Sequence, residues 1–260
     1  MPTWDPTQYL RFADQRTRPL HELLARVPDL PPAPTVLDIG CGPGNSTAVL
    51  RARWPDAAIT GIDTSAEMLA TARTAEGEPT ASYLLADAAV HDPAPAAPDL
   101  IASNATLQWV DGHLDLLPRW AAALRPGGVI AFQVPGNFDR PSHTLLADLR
   151  RSPRWRAALG DDPVRAGVPE PDAYLETLLA AGCTADVWET TYLTLLPGPD
   201  PVLEWTKGTA LRPVLALLPD PAERAAFLAE YAALLREAYP AGPYGTVFPF
   251  RRIFAVGVRG

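Results

Sequence analysis

At 260 residues, 47% of them hydrophobic, the chain is long enough for one sizeable α/β core with an appended subdomain and too rich in order-forming residues to be disordered. A net charge of −8 and a pI near 5.0 argue against nonspecific binding to nucleic acid or to an anionic membrane, because neutralising phosphates needs a basic face. No charged-then-apolar stretch at the start resembles a signal peptide, and no apolar run approaches the roughly 18 to 20 residues that span a bilayer, so a cytoplasmic enzyme is expected.

In chain order, a polar segment with Trp4, Tyr9 and Phe12 leads into a helical pattern from Arg16 to Val27, carried by Leu20, Leu23, Leu24 and Val27 and broken by Pro31, Pro32 and Pro34. Residues 1–30 read as an N-terminal lid or covering helix. Strands and helices then alternate: a strand at "TVLDI", a helix from Ser46 to Arg53, a strand at "AITGID", and a helix from Ser65 to Thr74. Strands at "ASYLLAD" and "DLIASN", a helix from Leu114 to Leu124 and a strand at "GVIAFQVP" follow. Several of these strands are apolar on both faces, which implies a parallel sheet covered on two sides. From Gly136 to Pro169 the composition turns to Arg, Pro and Asp, and the segment reads as an irregular insertion near the site. Tyr174 to Ala181 returns as helix ending on Gly182, a natural C-cap. Two long strands, "ADVWETTYLTLL" and "TVFPFRRIFAVGVR", bracket a mostly helical stretch. The expected organisation is a core at 31–199 and 244–260, with a helical cap at 200–243 inserted before the last strand.

The stretch "LDIGCGPGN" joins a strand to a helix through Gly40, Gly42 and Gly44, so backbone can approach a ligand there without obstruction by a Cβ. A dinucleotide fingerprint requires glycine at the sixth position from Gly40, where this chain has Asn45. Asp38 precedes the loop. Asp63 ends the next strand, where a carboxylate can accept both ribose hydroxyls, and Asp87 ends the one after, where it can accept from an adenine amino group. Asp63 and Asp87 each have a plainer reading as a strand-end cap. Cys41 and Cys183 read as free thiols.

These landmarks, "LDIGCGPG", "GID" followed by Met68, "AD" at Ala86 and Asp87, and "LRPGG", resemble the class I S-adenosylmethionine-dependent methyltransferases. The resemblance implies a Rossmann-like, doubly wound, mostly parallel seven-stranded sheet with an antiparallel C-terminal strand. It also implies S-adenosyl-L-methionine as cofactor, S-adenosyl-L-homocysteine as product, and cofactor contacts from Asp38, Gly40, Gly42, Gly44, Asp63, Met68, Asp87, Ala88, Asn104 and Leu107. Met68 serves equally well as core. "TWDPTQYLRFADQRTRP", "NATLQWVDGH", "AGCTADVWETTY", "GTALRPVL" and "RRIFAV" are together similar to the trans-aconitate 2-methyltransferase family, which implies methylation of a carboxylate of a small polycarboxylic acid. The segment "RSPRWRAALGDDPVRAG" departs from that family's pattern, which leaves open another small-molecule or natural-product acceptor. A nicotinamide-dependent oxidoreductase and a noncatalytic adenosyl-binding module are the readings from other classes.

A carboxylic acid with a pKa of about 4 is already ionised at neutral pH, so methyl transfer to it needs orientation and no general base; no catalytic residue is assigned. A polyanion meeting a chain of this charge requires local cations. Arg16 and Arg18 in the lid, Lys207 and Arg212 in the cap, and Arg251 and Arg252 on the last strand are the candidates, and the resemblance singles out Arg252. Adjacent strand residues face opposite ways, so Arg251 and Arg252 should not share a pocket. Asn104 can hydrogen-bond the methionine portion or the substrate, Leu107 and Trp109 can wall the sulfonium, and His113 can bond a substrate carboxylate. His21, His91 and His143 have no spacing that suggests a metal, and none is assigned.

Overall fold

In the computed structural model, residues 13–75, 81–160 and 167–260 are described, and of residues 13–16 the backbone alone. The proposed lid residues Trp4, Tyr9 and Phe12 lie outside that range. In chain order the elements are α1 (Ala13–Leu24), β1 (Thr35–Ile39), α2 (Asn45–Arg53), β2 (Ala58–Asp63), α3 (Ala66–Ala75), β3 (Ser82–Leu85), β4 (Leu100–Asn104), α4 (Leu116–Ala123) and β5 (Val129–Pro135). They continue with α5 (Pro141–Arg151), α6 (Arg156–Leu159), α7 (Pro171–Ala180), β6 (Cys183–Leu196), α8 (Pro201–Lys207), α9 (Leu211–Ala216), α10 (Pro221–Ala238), β7 (Ala241–Gly242) and β8 (Gly245–Arg259).

The strands form a sheet of order β3-β2-β1-β4-β5-β8-β6, with the two-residue β7 pairing β8. β1 to β5 pair in parallel and β8 runs antiparallel to β5. β1, β4 and β5 are buried along almost their whole length, which is why they read as unbroken apolar runs. The strand order reverses between β1 and β4, and the carboxyl ends of those two strands meet at the point where open α/β sheets bind ligands.

The chain divides into two compact units. The sheet unit comprises Ala13–Pro135, Pro169–Thr190 and Arg252–Gly260. Within it α1 packs against β5 with Leu20, Leu23 and Leu24 buried, so this helix covers the sheet. Tyr174 of α7 is fully buried and meets Phe132 edge to face at 5.2 Å. Gly182 has φ +81°, as its role after α7 predicts.

The helical unit comprises the described part of 136–168 together with Thr191–Arg251, and so begins earlier in the chain than the inserted cap expected from sequence. The segment after Pro135 is not irregular: α5 places Leu146 and Leu149, and the α6 region Trp155 and Leu159, in one core with Phe227, Tyr231 and Leu235 of α10. Arginines and prolines hid this short amphipathic pattern. α10 starts at Asp220, whose side chain accepts from the Ala222 N–H at 2.9 Å, and Pro221 is tolerated in the first turn. Two tyrosines clamp the start of α5. Tyr231 Oη donates to the Ser142 carbonyl at 2.5 Å and the Ser142 N–H donates to Tyr239 Oη at 3.0 Å. Among the described residues no helix is long and apolar enough to cross a membrane.

Candidate active site

The loop leaving β1 is held in shape by its glycines and by two acids. Gly40, Gly42 and Gly44 have φ of +72°, +55° and +94°, the left-handed region that side chains disfavour. Two of these positions differ sharply in their surroundings. A Cβ on Gly40 would lie 2.1 Å from Thr106 Oγ1, so the β1 loop and the segment after β4 touch there, whereas a Cβ on Gly42 would meet none of the described residues within 4 Å. Among the described residues, Gly42 is therefore where backbone is left uncovered.

Asp38 is 1% exposed at the end of β1. Its Oδ2 accepts from Ser46 Oγ and Thr47 Oγ1, each at 2.7 Å, both from the first turn of α2. Its Oδ1 is buried with no partner among the described residues. Burial pushes the carboxyl up to about 6 despite the two hydroxyl donors, and the neighbouring Asp63 charge adds to the rise. A buried carboxylate oxygen without a donor is costly, and an ammonium group supplies what it lacks.

Asp63 ends β2 and cradles backbone. Its Oδ2 accepts from the Gly42 N–H at 3.0 Å and its Oδ1 from the Ser65 N–H at 2.8 Å, leaving each oxygen a further lone pair for hydroxyl donors. Asp87 is exposed beyond β3, and its Oδ1 accepts from the Ala89 N–H at 2.9 Å, so the capping function does operate there. Met68, Ala88 and Leu107 are buried, Leu107 completely, and Trp109 is half-buried in the single turn after β4. The orphaned Asp38 oxygen, the open face at Gly42 and the spare acceptors on Asp63 fit a ligand with an ammonium at one end and a ribose at the other.

The substrate candidates fare differently. Arg16 lies on α1, with its side chain outside the described residues. Arg18 pairs with Glu22 at 2.7 Å and Lys207 with Glu204 at 2.5 Å. Arg252 is 5% exposed and donates from Nη1 to Gln133 Oε1 at 2.8 Å, while Arg251 is half-buried, as the strand alternation requires. His113 is buried with both ring nitrogens engaged, Nδ1 with the Val110 carbonyl at 3.1 Å and Nε2 with Tyr174 Oη at 2.7 Å. A carbonyl only accepts, so Nδ1 carries the proton and Tyr174 donates to Nε2. His113 is thus internal rather than at an exposed loop, and desolvation by that burial holds its pKa below the usual histidine value, favouring the neutral ring.

Sequence reasoning passed over Ser46, Thr47, Thr106, Gln133, Asn137 and Tyr174. Gln133 carried a signal, as the one polar side chain in the strand Val-Ile-Ala-Phe-Gln-Val-Pro. Asn137 is buried, accepts from the Arg251 N–H at 2.6 Å and has an Nδ2 with no partner among the described residues, but nothing near it in sequence marked it out.

Comparison with known proteins bears on the fold and on the family. A family model described as a methyltransferase domain matches residues 9–173. Among solved structures, the YcgJ protein of Bacillus subtilis is similar at TM-score 0.59 and 14% identity, over 93% of this chain and 98% of that one. The Haemonchus contortus phosphoethanolamine N-methyltransferase 2 solved with S-adenosylhomocysteine is similar at TM-score 0.54 and 17% identity, over 93% of this chain and 52% of that one. At such identities these two speak for the fold alone. Curated relatives reach much further: a trans-aconitate 2-methyltransferase of Streptomyces avermitilis is 59% identical over 98% of this chain and 97% of its own length. One of Streptomyces coelicolor is 57% identical over 98% of this chain and 86% of its own length. Identity at that level runs far past the matched methyltransferase domain and through both units, so the chain belongs to the trans-aconitate 2-methyltransferase family of methyltransferases.

Proposed function

We propose that the protein methylates a carboxylate oxygen of a small polycarboxylic acid, trans-aconitate before others, yielding a monomethyl ester and S-adenosyl-L-homocysteine. The observation that carries the reading is identity of 59% over 98% of the chain with a relative of that name, since a shared cofactor half alone would leave the acceptor open.

S-adenosyl-L-methionine, when bound, supplies a methyl group on a positively charged sulfur. The chain's residues then have separable tasks. Asp38 Oδ1 accepts from the ammonium of the methionine end, Asp63 accepts from the ribose hydroxyls, the backbone at Gly42 lies against the ligand, and Asp87 with Ala88 borders the adenine. Met68 contributes apolar packing nearby, and Trp109 is the aromatic wall nearest β4. The acceptor oxygen attacks as an anion, so no side chain has to remove a proton. The engagement of both His113 nitrogens supports that reading, because a histidine occupied in this way is a poor general base. Catalysis then rests on alignment and exclusion of water.

The test is incubation with labelled S-adenosylmethionine and a panel of di- and tricarboxylates. Label should enter a base-labile ester, fastest with trans-aconitate. Absence of transfer to every acid would overturn the proposal, and faster transfer to a neutral acceptor would replace it.

A further inference from the structure

Gln133 lies fully buried in the middle of the apolar β5. A primary amide persists in such a place when its oxygen and its NH2 both have partners, and here the partners come from different strands. Arg252 Nη1 of β8 lies 2.8 Å from Gln133 Oε1, and Gln133 Nε2 lies 2.5 Å from Asn104 Oδ1 at the end of β4. The strand register supports this row. Asn104 is opposite Gln133 across β4 and β5, and the Ala105 N–H donates to the Gln133 backbone carbonyl at 3.0 Å.

The two ends of an amide are hard to tell apart by shape, but chemistry decides them here. A guanidinium has donors and no acceptor, so the atom of Gln133 that it meets must be oxygen. The NH2 of Gln133 therefore faces Asn104 and must meet an oxygen in turn. Asn104 is left with its own NH2 directed away from Gln133. That group sits on a half-buried residue at the carboxyl edge of β4, and it has no acceptor among the described residues.

We propose that Arg252 is a positioning residue which, through Gln133, holds Asn104 as a one-way hydrogen-bond donor, so that this edge receives a carboxylate oxygen and rejects an ammonium. Arg252 then serves the anion at one remove and does not touch it. Two carboxylates are available, that of the cofactor's methionine end and that of the acid. The inference rests on the proposed function for its choice of ligands, and on nothing but hydrogen-bond direction for the relay.

Gln133→Glu tests it with an isosteric change. A carboxylate at that position still accepts from Arg252, and its other oxygen makes Asn104 turn its NH2 inward and its own oxygen outward. A ligand carboxylate then meets lone pairs in place of a donor. Calorimetry with S-adenosylhomocysteine, and with 5′-methylthioadenosine as a ligand lacking the carboxylate, separates the two sources. If the cofactor carboxylate is received, affinity for S-adenosylhomocysteine should fall about 10- to 100-fold while methylthioadenosine binds as before. If the acid is received, both nucleosides should bind normally, and the Michaelis constant for trans-aconitate should rise by a similar factor with a smaller change in kcat. Arg252→Met, which frees Gln133 to rotate, should show a weaker form of the same defect, partly restored in Arg252→Lys. Wild-type affinity for S-adenosylhomocysteine and for the acid in a normally folded Gln133→Glu variant overturns the relay. Should that variant not fold, Asn104→Asp places oxygen outward with Gln133 and Arg252 intact and is read the same way. If the unaltered protein methylates no acid, the proposed function fails by itself, and the relay is then judged on the two nucleosides alone, with unchanged S-adenosylhomocysteine affinity overturning it.

Discussion

At the ends of β1 and β2 the polar groups are carboxylates gripped by near neighbours: Asp38 by Ser46 and Thr47, and Asp63 by Gly42 and Ser65. At the ends of β4 and β5 they are amides and rings joined to partners far along the chain, as in Asn104 with Gln133 and Arg252, or His113 with Tyr174. Among the described residues the first region leaves acceptors unfilled, one of them buried, which is the complement of the donor-rich ligand proposed for it. In the second, the Gln133 amide is engaged at both ends and the Asn104 NH2 has no acceptor among the described residues. Opposite polarities on neighbouring strand ends suit a ligand set that carries both ammonium and carboxylate groups.

The largest expected effect probes the seam between these regions. Gly40→Val drives a Cβ into Thr106 at a positive φ and should cost about 4 kcal/mol or prevent folding, as read by urea denaturation. Gly42→Val, with open space around it, should cost only about 1 to 2 kcal/mol of strain but weaken S-adenosylhomocysteine binding more than about tenfold. Equal stability loss at both positions would break the distinction between a packed and a ligand-facing glycine.

Asp38 supplies the next effect, and it depends on pH. Its folded pKa of about 6 lies above the unfolded value of 3.8, so between those limits the folded state holds more protons and stability falls as pH rises. The contribution is greatest below about pH 4, is lost above about pH 6 and amounts to about 3 kcal/mol. Asp38→Asn should remove that slope, so chemical denaturation at pH 4.5 and 7.5 should show the wild type losing more stability between them than the variant. Affinity for S-adenosylhomocysteine should rise through the same interval, because the ligand ammonium favours the ionised acid. A wild type and variant with parallel pH profiles would remove Asp38 from this account.

Asp63→Ala should weaken S-adenosylhomocysteine binding by about 2 kcal/mol and loosen the ligand-free loop as well, since the Gly42 and Ser65 N–H groups lose their acceptor. Amide exchange at Gly42 would report the second effect, and unchanged exchange would confine Asp63 to the ligand. Smallest of all, Tyr174→Phe strips the donor from His113 Nε2 and should cost about 1 to 2 kcal/mol of stability in thermal melts, with cofactor affinity intact. Should kcat fall about 100-fold in that variant without a change in stability, the second region would be catalytic and His113 would be its base.

Sequence alone settled the β1-to-β5 alternation, the glycine loop, and the acids at the ends of β1 and β2. These depend on apolar periodicity and on residues a few positions apart, which a linear reading can see. It went astray at 141–151, where arginines masked Leu146 and Leu149 of a real helix, and it passed over Gln133, the buried partner of Arg252. Only the tertiary structure could turn Arg252 inward, because its acceptor Gln133 lies on a strand 119 positions earlier and is brought beside it by the antiparallel pairing of β5 and β8. The same holds for His113, whose fate was decided by a tyrosine 61 residues away. Hydrogen-bond direction in a buried relay is set by whichever member can only donate or only accept, and that member is identified once the strands have assembled.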